Sequence, residues 1–187
     1  IPVPVIQAES KSFKDSLIVS IKAIEKGTIF KDTDTNMFIA LRKETADKII
    51  INKTTTITSK TYAFNGVEYS YSKPVSATFF KKPNNYSINI KSVYNPQYHA
   101  GGPEGLLDGI LGTENWRKGD WQGYQSQDFE AVVDLKEVKS VSEISARFLQ
   151  DQRSWILMPT KVNYYISEDN VNFIYFGSVN NTLDPKL

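Results

Sequence analysis

The side chains able to do chemistry are few. His99 is the single histidine of the 187 residues, and there is no cysteine. Disulfide frameworks, Cys-bearing zinc sites and thiol nucleophiles are excluded together. Metal ligation through several histidines is excluded by the same count. A Ser-His-Asp arrangement would have to use His99, and no Gly-x-Ser-x-Gly elbow presents a nucleophile. His99 sits in the loop segment Tyr98-His99-Ala100-Gly101-Gly102-Pro103, where a structural hydrogen-bonding role competes with that of a general base. Asp108 precedes Gly109, a pairing that caps its own turn. Aromatic residues are abundant, with 3 Trp, 10 Tyr and 10 Phe. They fill pleated surfaces well, and where exposed they also stack on sugar rings. The 22 basic and 21 acidic residues leave a net charge of +1. That balance gives no electrostatic reason for a nucleic-acid or anionic-membrane partner. No apolar run reaches membrane-spanning length, so no membrane insertion is expected.

Strands must position these residues. Helical periodicity is nearly absent, its best candidate being the short 44–48 stretch, which runs into Ile49-Ile50-Ile51. Period-two alternation recurs instead. It puts Leu17, Val19, Ile21 and Ala23 on one face, and likewise Phe129, Ala131, Val133 and Leu135. Ile144, Ala146 and Phe148 repeat it, as do Val162, Tyr164 and Ile166. Asn65-Gly66 reads as a tight hairpin between residues 55–64 and 67–71. The 167–170 segment joins 162–166 to 171–177 in the same way. Short strands with regular turns indicate an all-β chain of sandwiches or a barrel. A boundary falls near Lys81-Lys82-Pro83-Asn84-Asn85, followed by a long Gly- and Pro-containing stretch, residues 99–123, of the kind that carries function.

The second half holds a distinctive order of residues: Leu107-Asp108-Gly109-Ile110, Gly112, Trp116, Gly119, then Trp121-Gln122-Gly123-Tyr124. Phe148-Leu149-Gln150, Ser154-Trp155-Ile156 and the run from Val162 to Phe173 with Ser167, Asp169 and Phe173 follow. This order resembles the discoidin-like (coagulation factor V/VIII type C) domains appended to bacterial family 20 β-N-acetylhexosaminidases. The first half is similar to the Ig-like domain that follows the catalytic barrel in chitobiase-type enzymes, best over residues 51–80. Its upstream hairpin is replaced here by Phe30-Lys31-Asp32-Thr33-Asp34.

The resemblance implies two β-sandwiches, an Ig-like domain at 1–83 and a discoidin-like, galactose-binding-type jelly roll at 84–187. It also implies that the second lacks its closing strands within this sequence. The adjacent Asp-Glu pair of the catalytic barrel is absent, and a barrel needs about 250 residues. The implied role is a non-catalytic, glycan-binding accessory region of an exported bacterial enzyme; the alternative is a spacer or docking scaffold for the catalytic domain of the same polypeptide or for dimerisation. Relatives bind sugar through an exposed aromatic with planar polar groups, which makes Trp116, Trp121, Tyr124, Arg153 and Trp155, with His99 and Gln150, the candidates, and Trp116, His99 and Arg153 the sharpest of them. Trp121 and Trp155, inside motif runs, are expected in the core, while Trp116 is open between exposure and burial. No cofactor is required. The family's structural calcium would fall at Asp108, with Thr113 as a further oxygen donor, and the turn-capping role of Asp108 stands beside it.

Overall fold

The computed structural model describes residues 1–22, 28–32, 38–41 and 47–184. The chain is all-β: thirteen strands and three short 3₁₀ turns make up its regular structure among the described residues. No helix among them is long and apolar enough to cross a membrane.

The first part is built from two sheets. Strands β1 (Val5–Ala8), β3 (Leu17–Lys22) and β6 (Asp47–Ile51) form an antiparallel three-stranded sheet in the order β1-β3-β6. The second sheet runs β2-β9-β7-β4-β5, from β2 (Ser12–Phe13), β9 (Val75–Lys81), β7 (Thr55–Phe64), β4 (Thr28–Asp32) and β5 (Phe38–Leu41). β2 lies parallel to β9, and β8 (Tyr69–Tyr71) pairs with β7. Alternation explains the core. Leu17, Val19 and Ile21 of β3 face inward as their spacing requires, with Ile51, Ile57, Phe13 and Phe79 supplied by both sheets. Ala23 lies outside the described residues, as do 44–46 of the candidate helix; Asp47 and Lys48 of that candidate belong to β6. Asn65-Gly66 does make a hairpin, but over a four-residue loop, Phe64 pairing with Tyr69. The Asn65 carboxamide accepts from the Val67 and Glu68 amides, both at 2.9 Å, and Gly66 takes φ +100°.

After Pro83 the packing changes character. β10 (Ser87–Ile90) pairs antiparallel with β11 (Ala131–Asp134), and β12 (Lys161–Ile166) with β13 (Ile174–Asn180). These are two separate two-stranded sheets, fewer strands than the eight of a complete jelly roll. Every buried large apolar side chain among the described residues lies between Phe13 and Phe79. The 144–148 alternation forms no ladder, because among the described residues no backbone pairs with it. β13 starts at Ile174, later than the alternation suggested, because Asp169 holds residues 167–172 in a closed turn.

The two parts touch along one seam. Lys82 donates its amide to the Phe13 carbonyl at 2.8 Å and its ammonium to Glu104. Lys11 reaches Asp120 at 2.6 Å. Pro83 packs beside Gly109, whose φ of +81° admits no side chain without strain.

Candidate functional site

The long stretch between β10 and β11 is folded by backbone hydrogen bonds that glycines make possible. Gly123 donates to Tyr98 O at 3.0 Å, and Asn95 donates to Gly123 O at 2.8 Å. His99 pairs with Gln122 in an isolated antiparallel bridge. The Gln122 carboxamide donates to Gly102 O at 2.7 Å, so the chain turns back on itself around that side chain. A Cβ on Gly105 would lie 1.6 Å from Ala100 O, a separation only glycine avoids. The 3₁₀ turn Gly102–Leu107 follows and delivers Asp108.

Asp108 is 5% exposed. Its carboxylate accepts the Ile110 amide at 2.7 Å, which is the turn-capping role its Asp-Gly sequence suggested. Burial pushes its pKa above the ordinary carboxylate value; the Ile110 hydrogen bond and Lys82 oppose the rise, and Asp120 adds to it. A groove of about 70 Å³ lies here, lined by Ser10, Lys11, Gly101, Asp108, Ile110 and Asp120 among others. It is far below the 300–1,000 Å³ of small-molecule pockets. Thr113 does not line it; that residue's carbonyl instead accepts the Trp121 indole N–H at 2.8 Å. Calcium takes six to eight oxygens. The groove offers two carboxylates, one of them already paired with Lys11, and no group of three or more His, Cys, Asp or Glu is placed for a metal among the described residues. A calcium ion here would therefore take most of its oxygens from backbone carbonyls rather than from carboxylates.

Beyond the groove the chain assembles an aromatic cluster. Trp121 lies against Gly112, where an added Cβ would be 2.3 Å from the ring. Trp116 opens the 3₁₀ turn Trp116–Lys118, capped by the Asn115 carboxamide accepting from the Arg117 amide and ended by Gly119 at φ +77°. Its indole N–H is shared between Asp151 Oδ2 and Ser154 Oγ, each at 3.2 Å. Tyr98 meets it edge-on at 5.8 Å, and the Arg117 guanidinium sits 4.3 Å from its ring centroid. Trp116 is thus half-buried and fully engaged, a clamp joining two loops.

The second of those loops is the turn 151–156. The Asp151 and Ile156 backbones exchange both hydrogen bonds, at 3.0 and 3.1 Å, and Ser154 Oγ donates to Asp151 Oδ2 at 2.7 Å. That bond, with the Trp116 N–H behind it, holds the Asp151 carboxyl below its usual range. Trp155 then takes a left-handed conformation, φ +58° and ψ 28°, with its side chain 90% exposed. The expectation that Trp155 is a core residue is overturned. A positive φ at a bulky residue costs about 1–3 kcal/mol, and an unburied large apolar side chain forgoes about 1.5–3 kcal/mol. The turn tolerates both because the bonds around Asp151 fix its backbone.

Of the sequence-based sugar-binding residues, Trp116 and the turn carrying Arg153 are brought together. His99 joins them through its neighbour Tyr98, and both His99 and Arg153 are exposed. Gln150 donates its carboxamide to Asp184 O at 3.1 Å, and Tyr124 donates its hydroxyl to Gln122 at 2.6 Å while packing on Phe129. Burial pushes the Tyr124 hydroxyl up to about 12, so it stays a neutral donor. Tyr98, Arg117, Asp151 and Ser154 were not singled out as site residues. Asp151 and Ser154, three apart and followed by a Trp, carried a readable turn signal. No model of a known protein family matches the chain, and no curated protein matches it.

Proposed function

We propose that this chain is a non-catalytic, glycan-binding accessory region of an exported bacterial β-N-acetylhexosaminidase-like enzyme. Sugar meets the loop end formed by residues 98–99, 116–117 and 151–156. The observation that carries the reading is the joining of these loops by Trp116, Tyr98, Asp151 and Ser154, which leaves His99, Arg153 and Trp155 facing solvent on a fixed backbone. The cluster offers flat rings and planar polar groups without a deep cavity, suited to shallow, weak contact with one side of a saccharide. Binding of this kind needs no cofactor; a structural calcium at Asp108 would draw on backbone carbonyls besides that carboxylate. Titration of intrinsic tryptophan fluorescence with oligosaccharides of N-acetylglucosamine, galactose and N-acetylgalactosamine tests the reading. Saturable change with any of them supports it, and a flat response to all three sinks it for those sugars.

A specific feature favours a second reading, that of a docking scaffold for the catalytic domain of the same polypeptide. The β12–β13 hairpin leaves Ile174 70% and Val179 61% exposed on the face they share with Val162 and Ile166. Such apolar faces mark interaction surfaces. Slowed amide exchange in β12 and β13 on adding the catalytic domain supports docking; unchanged exchange removes this reading.

A further inference from the structure

We propose that Asn65 is a site of spontaneous covalent modification, where Gly66 N attacks the Asn65 carboxamide, ammonia leaves, and the resulting isoaspartate opens the end of the β7–β8 hairpin. Asn65 is the one asparagine of the sequence followed by glycine. The reaction closes a succinimide between the Asn65 side chain and the next backbone nitrogen, where a Cβ on the following residue would crowd the ring. Both residues are exposed, and nothing lies within 4 Å of the place a Gly66 Cβ would take. Solvent therefore reaches both reacting groups.

The turn itself prepares the electrophile. Asn65 Oδ1 accepts the Val67 and Glu68 amides, both at 2.9 Å. Attack at Cγ places negative charge on that oxygen, and N–H groups already aimed at it stabilise the charge as an oxyanion hole does. The Asn65 amide donates to Glu68 O at 3.2 Å, which keeps the turn closed and the side chain beside the backbone that follows. The Gly66 N–H donates to no acceptor among the described residues, so no bond has to break before it attacks. As the new C–N bond forms, Gly66 N gives its proton to solvent base and the carboxamide nitrogen leaves as ammonia. Water then opens the imide, at the former side-chain carbonyl to give aspartate or at the Asn65 backbone carbonyl to give isoaspartate. One water is consumed and one ammonia released.

The two products act differently on the hairpin. An aspartate carboxylate still accepts the Val67 and Glu68 amides. In isoaspartate the former Cγ carbonyl belongs to the main chain, which is longer by one carbon–carbon bond of about 1.5 Å, and the cap is lost. Phe64 pairs with Tyr69 beside the turn, their rings 4.8 Å apart, so this is the first pair to separate. Asp108-Gly109 supplies an internal comparison, since Asp-Gly forms the same imide by losing water. There Asp108 is buried and Gly109 lies against Pro83, and the closed surroundings should hold it unreacted.

The test is incubation of the folded full chain at mildly alkaline pH, followed by peptide mapping for the mass change of NH₂ to OH and by isoaspartyl methyltransferase labelling. Asn65 should convert before every other asparagine, and at least as fast as in the chain unfolded in urea. Asn65→Gln, with an unchanged thermal midpoint, should lose the label. Slower conversion of Asn65 in the folded chain than in urea would show that the turn protects it and overturn the proposal. So would earlier reaction at another asparagine, or isomerisation of Asp108 at the same rate. By NMR, the Val67 and Glu68 amides should exchange faster in the isoaspartate form than in Asn65→Asp, which reproduces the other product. Equal exchange in the two would refute the opening of the hairpin.

Discussion

Gly112→Ala is a stringent test of how the loop end is held. An added Cβ would stand 2.3, 2.5 and 2.7 Å from Cε2, Nε1 and Cζ2 of Trp121. Carbon contacts sit near 3.5–4.0 Å, so the indole must retreat by about 1 Å or more. Retreat strains or breaks its 2.8 Å hydrogen bond to Thr113 O. Overpacking costs about 1–3 kcal/mol and the lost bond about 0.5–1.5, offset by the 0.4–1 that Ala gains over Gly through the unfolded chain. The net expectation is a loss of about 2–3 kcal/mol, or roughly 4–12 °C in thermal midpoint for a chain of 187 residues. Differential scanning fluorimetry reads the midpoint, and near-UV circular dichroism reads the Trp environment. The ring itself is the cause in this reasoning, so the same Gly112→Ala change should cost less in a Trp121→Phe background, whose ring is smaller and carries no N–H. An unchanged midpoint for the single variant, or equal costs in both backgrounds, refutes the argument.

Thr61→Val should stabilise the chain. Among the described residues Thr61 Oγ1 is buried without a hydrogen-bond partner, and removing such a hydroxyl while keeping the β-branched shape is worth about 1 kcal/mol; a lower urea midpoint than wild type would contradict this. The Asp169 carboxylate accepts from the Asn172 and Val171 amides, the Asn172 carboxamide and Ser167 Oγ, which hold its pKa well below the usual carboxylate range. A depressed folded pKa means that its stabilising effect is complete above the unfolded value of about 3.9 and is lost as pH falls through the folded value. Asp169→Asn should therefore be less stable than wild type at neutral pH, with the gap closing only in strong acid, and an NMR titration showing an ordinary midpoint for Asp169 would rule this out. Calcium added to chelator-treated protein should leave the thermal midpoint in place, since the groove supplies two carboxylates and one of them is already paired with Lys11; a midpoint rising with the logarithm of calcium concentration would show that a site is completed.

What was legible in the sequence follows from which forces are local. Leu17, Val19 and Ile21 could be assigned to one inward face because pleating fixes their alternation and a sheet lies across from them. The Asn65-Gly66 and Ser167–Asn170 turns could be read because their side chains bond to backbone amides two or three residues on. Ile144, Ala146 and Phe148 alternate equally well, yet a strand also needs a partner backbone, which alternation does not encode. The side-chain environments of the tryptophans are less local still. Trp116 is clamped by Asp151 and Ser154, 35 and 38 residues away. Trp155, placed inside an apolar-looking Ser-Trp-Ile run, is turned outward by a left-handed backbone that nothing in the residue type announces.

The loop end owes its shape to glycine-dependent turns and to contacts from outside it. Gly105 lets the chain pass against Ala100 O, and Gly109 lets Pro83 close on the Asp108 turn. Lys82 fixes Glu104 from just after β9, and Lys11 fixes Asp120 from just before β2. Exposed ion pairs contribute little to stability individually. Their consequence here is positional, since each ties one end of a long loop to a sheet whose core is well packed. A loop of this length left untied would have to be ordered when ligand binds, at about 0.5–1.5 kcal/mol for each immobilised rotamer-rich side chain. Weak, shallow sugar contact cannot carry that cost across many residues. The glycan contact proposed at residues 98–99, 116–117 and 151–156 would therefore depend on the order that the two lysines, the glycines and the Trp116 clamp establish beforehand.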